Sequence, residues 1–222
     1  VLDLINLSLI TCKFPSAFKS SFIIPTLKNT SLDPSFLSSY RPVSNLSFIS
    51  KILEKVIYEQ LNSYLNKFSL LPSSQSGFRV GHSTETASLK LYNDIILSSD
   101  SNMSTILLCL DFSSAFDTVD HSLLLNVLEI SLGINGSCLS WFNSYLSNRS
   151  FHVSIESSRS SVTSLTYGVP QGSILGPLLF ILYTSELPNI ISSFSLDSQI
   201  YADDSYIYSS FSDSSLDSVV NK

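Results

Sequence analysis

Three aspartates stand where chemistry could be done. Asp111 closes a short apolar run, Ile106-Leu107-Leu108-Cys109-Leu110, and the pair Asp203-Asp204 interrupts another, Ile200 to Tyr208. Apolar strands seldom finish in unpaired acids, because a desolvated carboxylate is costly. If the two runs are neighbouring strands, the acids converge and repel each other, and a divalent cation relieves that repulsion. Two hard cations held in this way are the machinery of in-line nucleotidyl transfer. Taken alone, Asp203-Asp204 also reads as an ordinary turn, since Asp is a common turn former.

Elements that position such acids can be read from periodicity. The run ending at Asp111 is too short for a helix and reads as a strand buried on both faces. Ile200 to Tyr208 reads as two short strands around a two-residue Asp203-Asp204 hairpin turn. Val1 to Leu9 is weakly helical, Phe22 to Leu27 is extended, and Tyr40 to Val43 is extended because Arg41 precedes a proline. Phe48 to Lys67 carries apolar residues at helical spacing, from Ile49 to Leu65. Ser83 caps a second helix with Ala87, Leu91 and Ile95 on one face. Asp120 caps a helix running to Leu132 with Gly133 at its end, and another helix holds Trp141, Phe142, Tyr145 and Leu146. Val153 and Ile155 alternate with polar residues as in a strand, and Ser173 to Leu187 reads as one apolar helix with Pro177 in its first turns. Serine-rich Ser157–Ser161 and Ser209–Ser215 read as turns or frayed ends. Helices alternating with a few short strands give an α+β layout.

Composition narrows the classes. The 222 residues are 44% hydrophobic, enough for one large domain or two small ones. With 12 Lys and Arg against 18 Asp and Glu, the net charge of −6 argues against a broad phosphate-tracking surface. An acidic pocket for cations is compatible with it. Cys12, Cys109 and Cys138 lack metal-ligand spacing and suit a reducing compartment, with Cys109 expected to be a buried thiol. His82, His121 and His152 form no ligand set. No signal peptide is visible, and the most apolar segment, Ile174–Tyr183, is about half a membrane span, so a soluble protein without a membrane partner is expected. The chain starts at Val1 and stops in a polar stretch, which reads as a fragment of something longer.

The company the acids keep is specific. Asp111-Phe112-Ser113-Ser114-Ala115-Phe116-Asp117, then Gly168-Val169-Pro170-Gln171-Gly172-Ser173, then Tyr201-Ala202-Asp203-Asp204 resemble, in that order, the A, B and C motifs of reverse transcriptases of LINE-type retrotransposons. Tyr40-Arg41-Pro42-Val43-Ser44 resembles the family's fingers motif, and Ile24-Pro25 with Lys28 the strand before it. Gln75-Ser76-Gly77-Phe78-Arg79 with Gly81-His82-Ser83-Thr84 resembles the segment joining fingers to palm, and Trp141-Phe142 with Ser144-Tyr145-Leu146 the helix between A and B. The match runs from about Leu4 to Tyr208. Ser205 stands where the family has Thr.

The resemblance implies a fingers-and-palm polymerase fold, with an antiparallel palm sheet backed by helices and the thumb absent. Residues 1–80 would be fingers and N-terminal helices, and 81–222 the palm. It implies an RNA-directed DNA polymerase using two Mg²⁺ ions, or Mn²⁺, with an RNA template, a DNA primer and deoxynucleoside triphosphates as partners. An endonuclease and a thumb would belong to the full-length polyprotein, working inside the cell, in the nucleus. Asp111 and Asp203 would bind metal, with Asp204 beside them and the Phe112 carbonyl as a further ligand. Lys28 and Arg41 would grip the triphosphate, Gln171 would contact the nucleotide, and Arg79 would contact nucleic acid or form a structural salt bridge. Phe116 would exclude a ribose 2′-hydroxyl, or else pack in the core. Asp117 would play a supporting part and Asp120 a capping one. A non-catalytic palm-like RNA-binding scaffold and an inactive relic are the alternatives.

Overall fold

The computed structural model describes residues 1–112 and 114–212. In chain order its helices and strands are α1 (Leu2–Thr11), β1 (Ser20–Leu27), β2 (Tyr40–Asn45), α2 (Phe48–Lys67), α3 (Thr84–Asp100), β3 (Ser104–Asp111), α4 (His121–Asn126), α5 (Gly136–Leu146), β4 (Arg149–Ile155), β5 (Ser158–Arg159), β6 (Thr163–Leu165), α6 (Gly176–Tyr183), α7 (Leu187–Ser193), β7 (Asp197–Tyr201) and β8 (Asp204–Phe211). No helix among the described residues is long and apolar enough to cross a membrane.

The chain forms two compact units, whose segments alternate along the sequence. One unit takes Val1–Lys67 and Phe116–Leu182; the other takes Phe68–Ala115 and Tyr183–Lys222, the last part described to residue 212. These units group contacts and each draws on two separate stretches of the chain. The segment with Gly168 and Gln171 goes with the N-terminal elements, because it is bonded to α2 and β2.

In the first unit β1 pairs antiparallel with β2 and parallel with β4, and β4 carries β5 and β6. The apolar stripe read in α2 is buried as Leu53, Ile57, Leu61 and Leu65. Phe14 meets Trp141 and Tyr145 of α5 edge-on, with ring centroids 5.7 and 5.0 Å away. The Asp120 cap is present: its Oδ1 accepts the amides of Ser122 and Leu123. α4 widens into one π-helical turn over Val127–Ser131, and Gly133 follows with φ +69°.

In the second unit β3, β8 and β7 form an all-antiparallel sheet in that order. α3 starts at the expected Ser83 with a full capping box, Ser83 and Thr86 each bonding the other's amide. Its inner face meets the sheet through polar contacts: the Tyr208 hydroxyl donates to Asp94 at 2.6 Å, and the Ser210 hydroxyl to Ser98 at 2.7 Å.

Several expectations are corrected. β3 is a strand but is not buried on both faces: it is an edge strand paired only with β8 among the described residues, and Leu108 is 51% exposed. Cys109 is exposed for the same reason. The helix expected over Ser173–Leu187 is shorter: α6 covers Gly176–Tyr183, a turn follows, and α7 begins only at Leu187. Pro188 in the first turn of α7 has no N–H to continue the ladder from Thr184. Ser209 and Ser210 lie within β8, and Ser158 within β5, rather than in turns. Residues 213–215 of that second serine stretch lie outside the described residues. The hairpin turn is Ala202-Asp203, one residue earlier than expected, because Tyr201 pairs with Asp204.

Candidate active site

The corrected turn decides the geometry of the acids. Pairing of β3 with β8 sets Asp111 directly across from Asp204, while Asp203 occupies the turn beside them. Like charges directly opposite each other across an antiparallel pair are destabilising. The Asp204 carboxyl is accordingly held above its ordinary range, first by burial and then by the charges of Asp203 and Asp111. Phe112 follows Asp111 and is exposed.

Among the described residues no group of three or more His, Cys, Asp or Glu side chains is gathered as a ready-made metal cage. Mg²⁺ is usually bound by one or two carboxylates plus waters and substrate phosphates, not by an all-protein cage. Hard oxygen donors that raise one another's proton affinity fit such a cation.

The turn has unusual support. Ala202 sits at φ +57°, a left-handed conformation that costs a residue with a Cβ about 1–2 kcal/mol. Gln75 lies behind it, 3% exposed, and its Oε1 accepts the Ala202 amide at 3.1 Å and the Gly77 amide at 2.7 Å. Arg79 Nη1 donates to the carbonyls of Pro72 and Gln75, at 2.8 and 3.0 Å. That nitrogen ties a loop together, and no Arg79 salt bridge is present among the described residues.

Other expected residues lie in the first unit. Arg41 pairs with Thr26 across the β1–β2 hairpin, and Lys28 continues that pairing through its amide to the Ser39 carbonyl at 2.8 Å. Strand alternation puts both cations on the same face of the hairpin, with Ile24 and Val43, and all four are exposed.

The turn from Gly168 to Ser173 is bonded on both sides. The Gly168 amide donates to Val119 and the Val169 amide to the Phe116 carbonyl, while the Gln171 carbonyl accepts the Ser44 amide on the free edge of β2 at 2.7 Å. Gly168, at φ +83°, would set a Cβ 2.8 Å from the backbone of Phe116 and Asp117; Gly172, at φ +103°, would set one 2.9 Å from the Ser44 carbonyl. Both glycines therefore serve close approach to the protein's own backbone. The Gln171 amide reaches the Asp117 carboxylate at 3.4 Å, and burial raises the Asp117 carboxyl against that contact. His121 Nε2 lies 2.7 Å from the Gly168 carbonyl. The Phe116 ring is half-buried and rests on Phe180, centroids 5.3 Å apart.

Sequence reasoning missed Glu54. Its side chain is fully buried in α2, and Oε2 accepts the amides of Ile174 at 2.8 Å and Leu175 at 3.3 Å, just ahead of α6. Oε1 accepts the Ser50 hydroxyl. Burial raises the Glu54 carboxyl, while those amides, the Arg149 charge and Ser50 pull it back down. A polar residue at an inward position of an apolar stripe was the only available signal.

Residues 27–222 match the family described as "Reverse transcriptase (RNA-dependent DNA polymerase)". The chain is 32% identical to the RNA-directed DNA polymerase from mobile element jockey of Drosophila melanogaster, over 87% of the chain and 21% of that protein. It is 35% identical to the probable RNA-directed DNA polymerase from transposon BS of the same organism, over 79% of the chain and 19% of that protein. It thus spans about a fifth of the length of the curated relatives it matches. In fold it is similar to apo telomerase from Candida tropicalis, with a TM-score of 0.63 at 13% identity, covering 99% of this chain and 45% of that one.

Proposed function

From the premise that this chain belongs to the reverse transcriptase family of LINE-type retrotransposons, we propose that it adds deoxynucleotides to a DNA primer 3′-hydroxyl on an RNA template. The observation that carries the proposal is the register that sets Asp111 across from Asp204 with Asp203 in the adjoining turn.

In this reading Asp111 and Asp203, with the Phe112 carbonyl, would hold two Mg²⁺ ions, and Asp204 would add its charge beside them. Bound there, the ions would lower the pKa of the attacking hydroxyl and neutralise the triphosphate and leaving pyrophosphate. Lys28 and Arg41 pair with phosphate oxygens, Arg41 through its fork. Gln171 contacts the incoming nucleotide. Phe116, steadied by Phe180, excludes a ribose 2′-hydroxyl by its bulk. These roles follow the family's motifs residue by residue.

The test is Mg²⁺-dependent extension of a DNA primer on an RNA template by the purified chain, with Asp203→Asn in parallel. Extension with deoxynucleotides that the variant loses supports the reading. Extension that survives in Asp203→Asn, or none from a folded chain offered Mg²⁺ and Mn²⁺, contradicts it.

A further inference from the structure

The Ala202-Asp203 turn pairs a strained residue with a charged one. Left-handed alanine persists only where its surroundings over-determine it. Asp204 stands beside Asp203 and across from Asp111, and the charges of both act against its own. Something must hold the backbone while the carboxylates face outward.

The segment from Pro72 to Arg79 supplies the hold. It runs parallel to β7, with the Ser76 amide donating to the Ile200 carbonyl and the Ile200 amide to the Ser74 carbonyl, each at 2.8 Å. Gln199 Nε2 donates to the Ser76 hydroxyl at 2.8 Å. Gln75, thus fixed at both its neighbours, presents one amide oxygen to two N–H groups, which uses both lone pairs of that oxygen. Gly77 completes the fit: a Cβ there would fall 2.4 Å from the Ala202 nitrogen. A neutral amide suits this place, since a carboxylate or ammonium behind the turn would perturb the acids in front of it.

We propose that Gln75 is a positioning residue of this site: it fixes the Ala202 backbone, and through it the separation of Asp111, Asp203 and Asp204. The proposal rests on the metal-binding reading above for its consequence, but the brace itself can be read without it. Removing a residue that orients metal ligands typically costs about 10–100-fold in metal affinity or activity.

Three proteins decide the matter: wild type, Gln75→Met, which keeps the length but loses the acceptor oxygen, and Gln75→Glu, which keeps it. Amide hydrogen exchange reads the brace directly. The Ala202 amide is expected to be protected in wild type and in Gln75→Glu, and to exchange about tenfold faster in Gln75→Met while α3 amides are unchanged. Mn²⁺ affinity, followed by electron paramagnetic resonance, should fall about 10–100-fold in Gln75→Met. An unprotected Ala202 amide in wild type overturns the proposal even if Gln75→Met does not fold. So does a folded Gln75→Met with wild-type exchange and affinity, or a folded Gln75→Glu whose Ala202 amide exchanges as fast as in Gln75→Met. Protected exchange in a wild type that binds no Mn²⁺ would instead overturn the metal reading and leave the brace standing.

Discussion

Two turns carry the candidate chemistry, and each is held from behind by one buried side chain. The turn before α6, in the first unit, rests on a carboxylate: Glu54 accepts the amides of Ile174 and Leu175. The Ala202-Asp203 turn, in the second unit, rests on an amide: Gln75 accepts those of Gly77 and Ala202. Both solve the same problem, unpaired backbone donors in a tight bend. They differ in charge, and what each turn must present accounts for the difference. A carboxylate at the start of a helix complements the positive end of the helix dipole. A carboxylate behind three aspartates would add to their repulsion and compete for their cations, so a neutral acceptor is the compatible choice there.

The largest expected effect comes from the glycine that the first turn cannot do without. Gly168→Ala combines a left-handed φ with a Cβ 2.8 Å from backbone, and should destabilise by about 3 kcal/mol or more in urea unfolding. Gly81→Ala has a similar φ but open space around the Cβ, and should cost only about 1 kcal/mol. Equal costs would mean that close approach to Phe116 and Asp117 does not govern the first turn.

Next comes the carboxylate itself. Glu54→Leu leaves two buried amides unpaired and should cost about 2–3 kcal/mol, whereas Glu54→Gln keeps an acceptor and should cost less. The pair also sharpens the contrast in pH. The Glu54 carboxyl is raised on folding, so its stabilising contribution is complete below its ordinary value near 4.5 and is lost as pH rises through the raised one. The unfolding midpoint of Glu54→Gln should therefore gain on wild type as pH climbs from about 4.5. Gln75→Glu aside, no comparable titration is expected from the second turn's amide. A flat difference between wild type and Glu54→Gln across that range would break the comparison.

Phe116→Val tests a subtler point. Its ring is braced by Phe180, and trimming it should raise ribonucleotide incorporation relative to deoxynucleotide by about tenfold or more. An unchanged ratio with lowered stability would make Phe116 a packing residue only.

Much of the scaffold was legible because it is local. The bounds of α2 coincide with the periodic run from Phe48 to Lys67, and Ser83 and Asp120 cap the helices their side chains suggest. What escaped depends on distant partners. The exposure of β3 turns on what lies beside it, and alternation within Ile106–Leu110 carries no such information. The one-residue shift of the hairpin turn arises at Ala202, whose left-handed backbone no propensity favours. Gln75 stood in a quoted motif, but its contact with Ala202 spans 127 positions in sequence. Glu54 reads as an ordinary helical acid until α6 closes over it.

The most direct test of the carboxylate site is a Mn²⁺ binding isotherm for wild type, Asp111→Asn and Asp203→Asn, taken with deoxynucleoside triphosphate present. We expect each substitution to weaken binding at least about tenfold, with Mg²⁺ displacing the ion from wild type. Isotherms that superimpose for all three proteins would contradict the assignment of these aspartates as metal ligands.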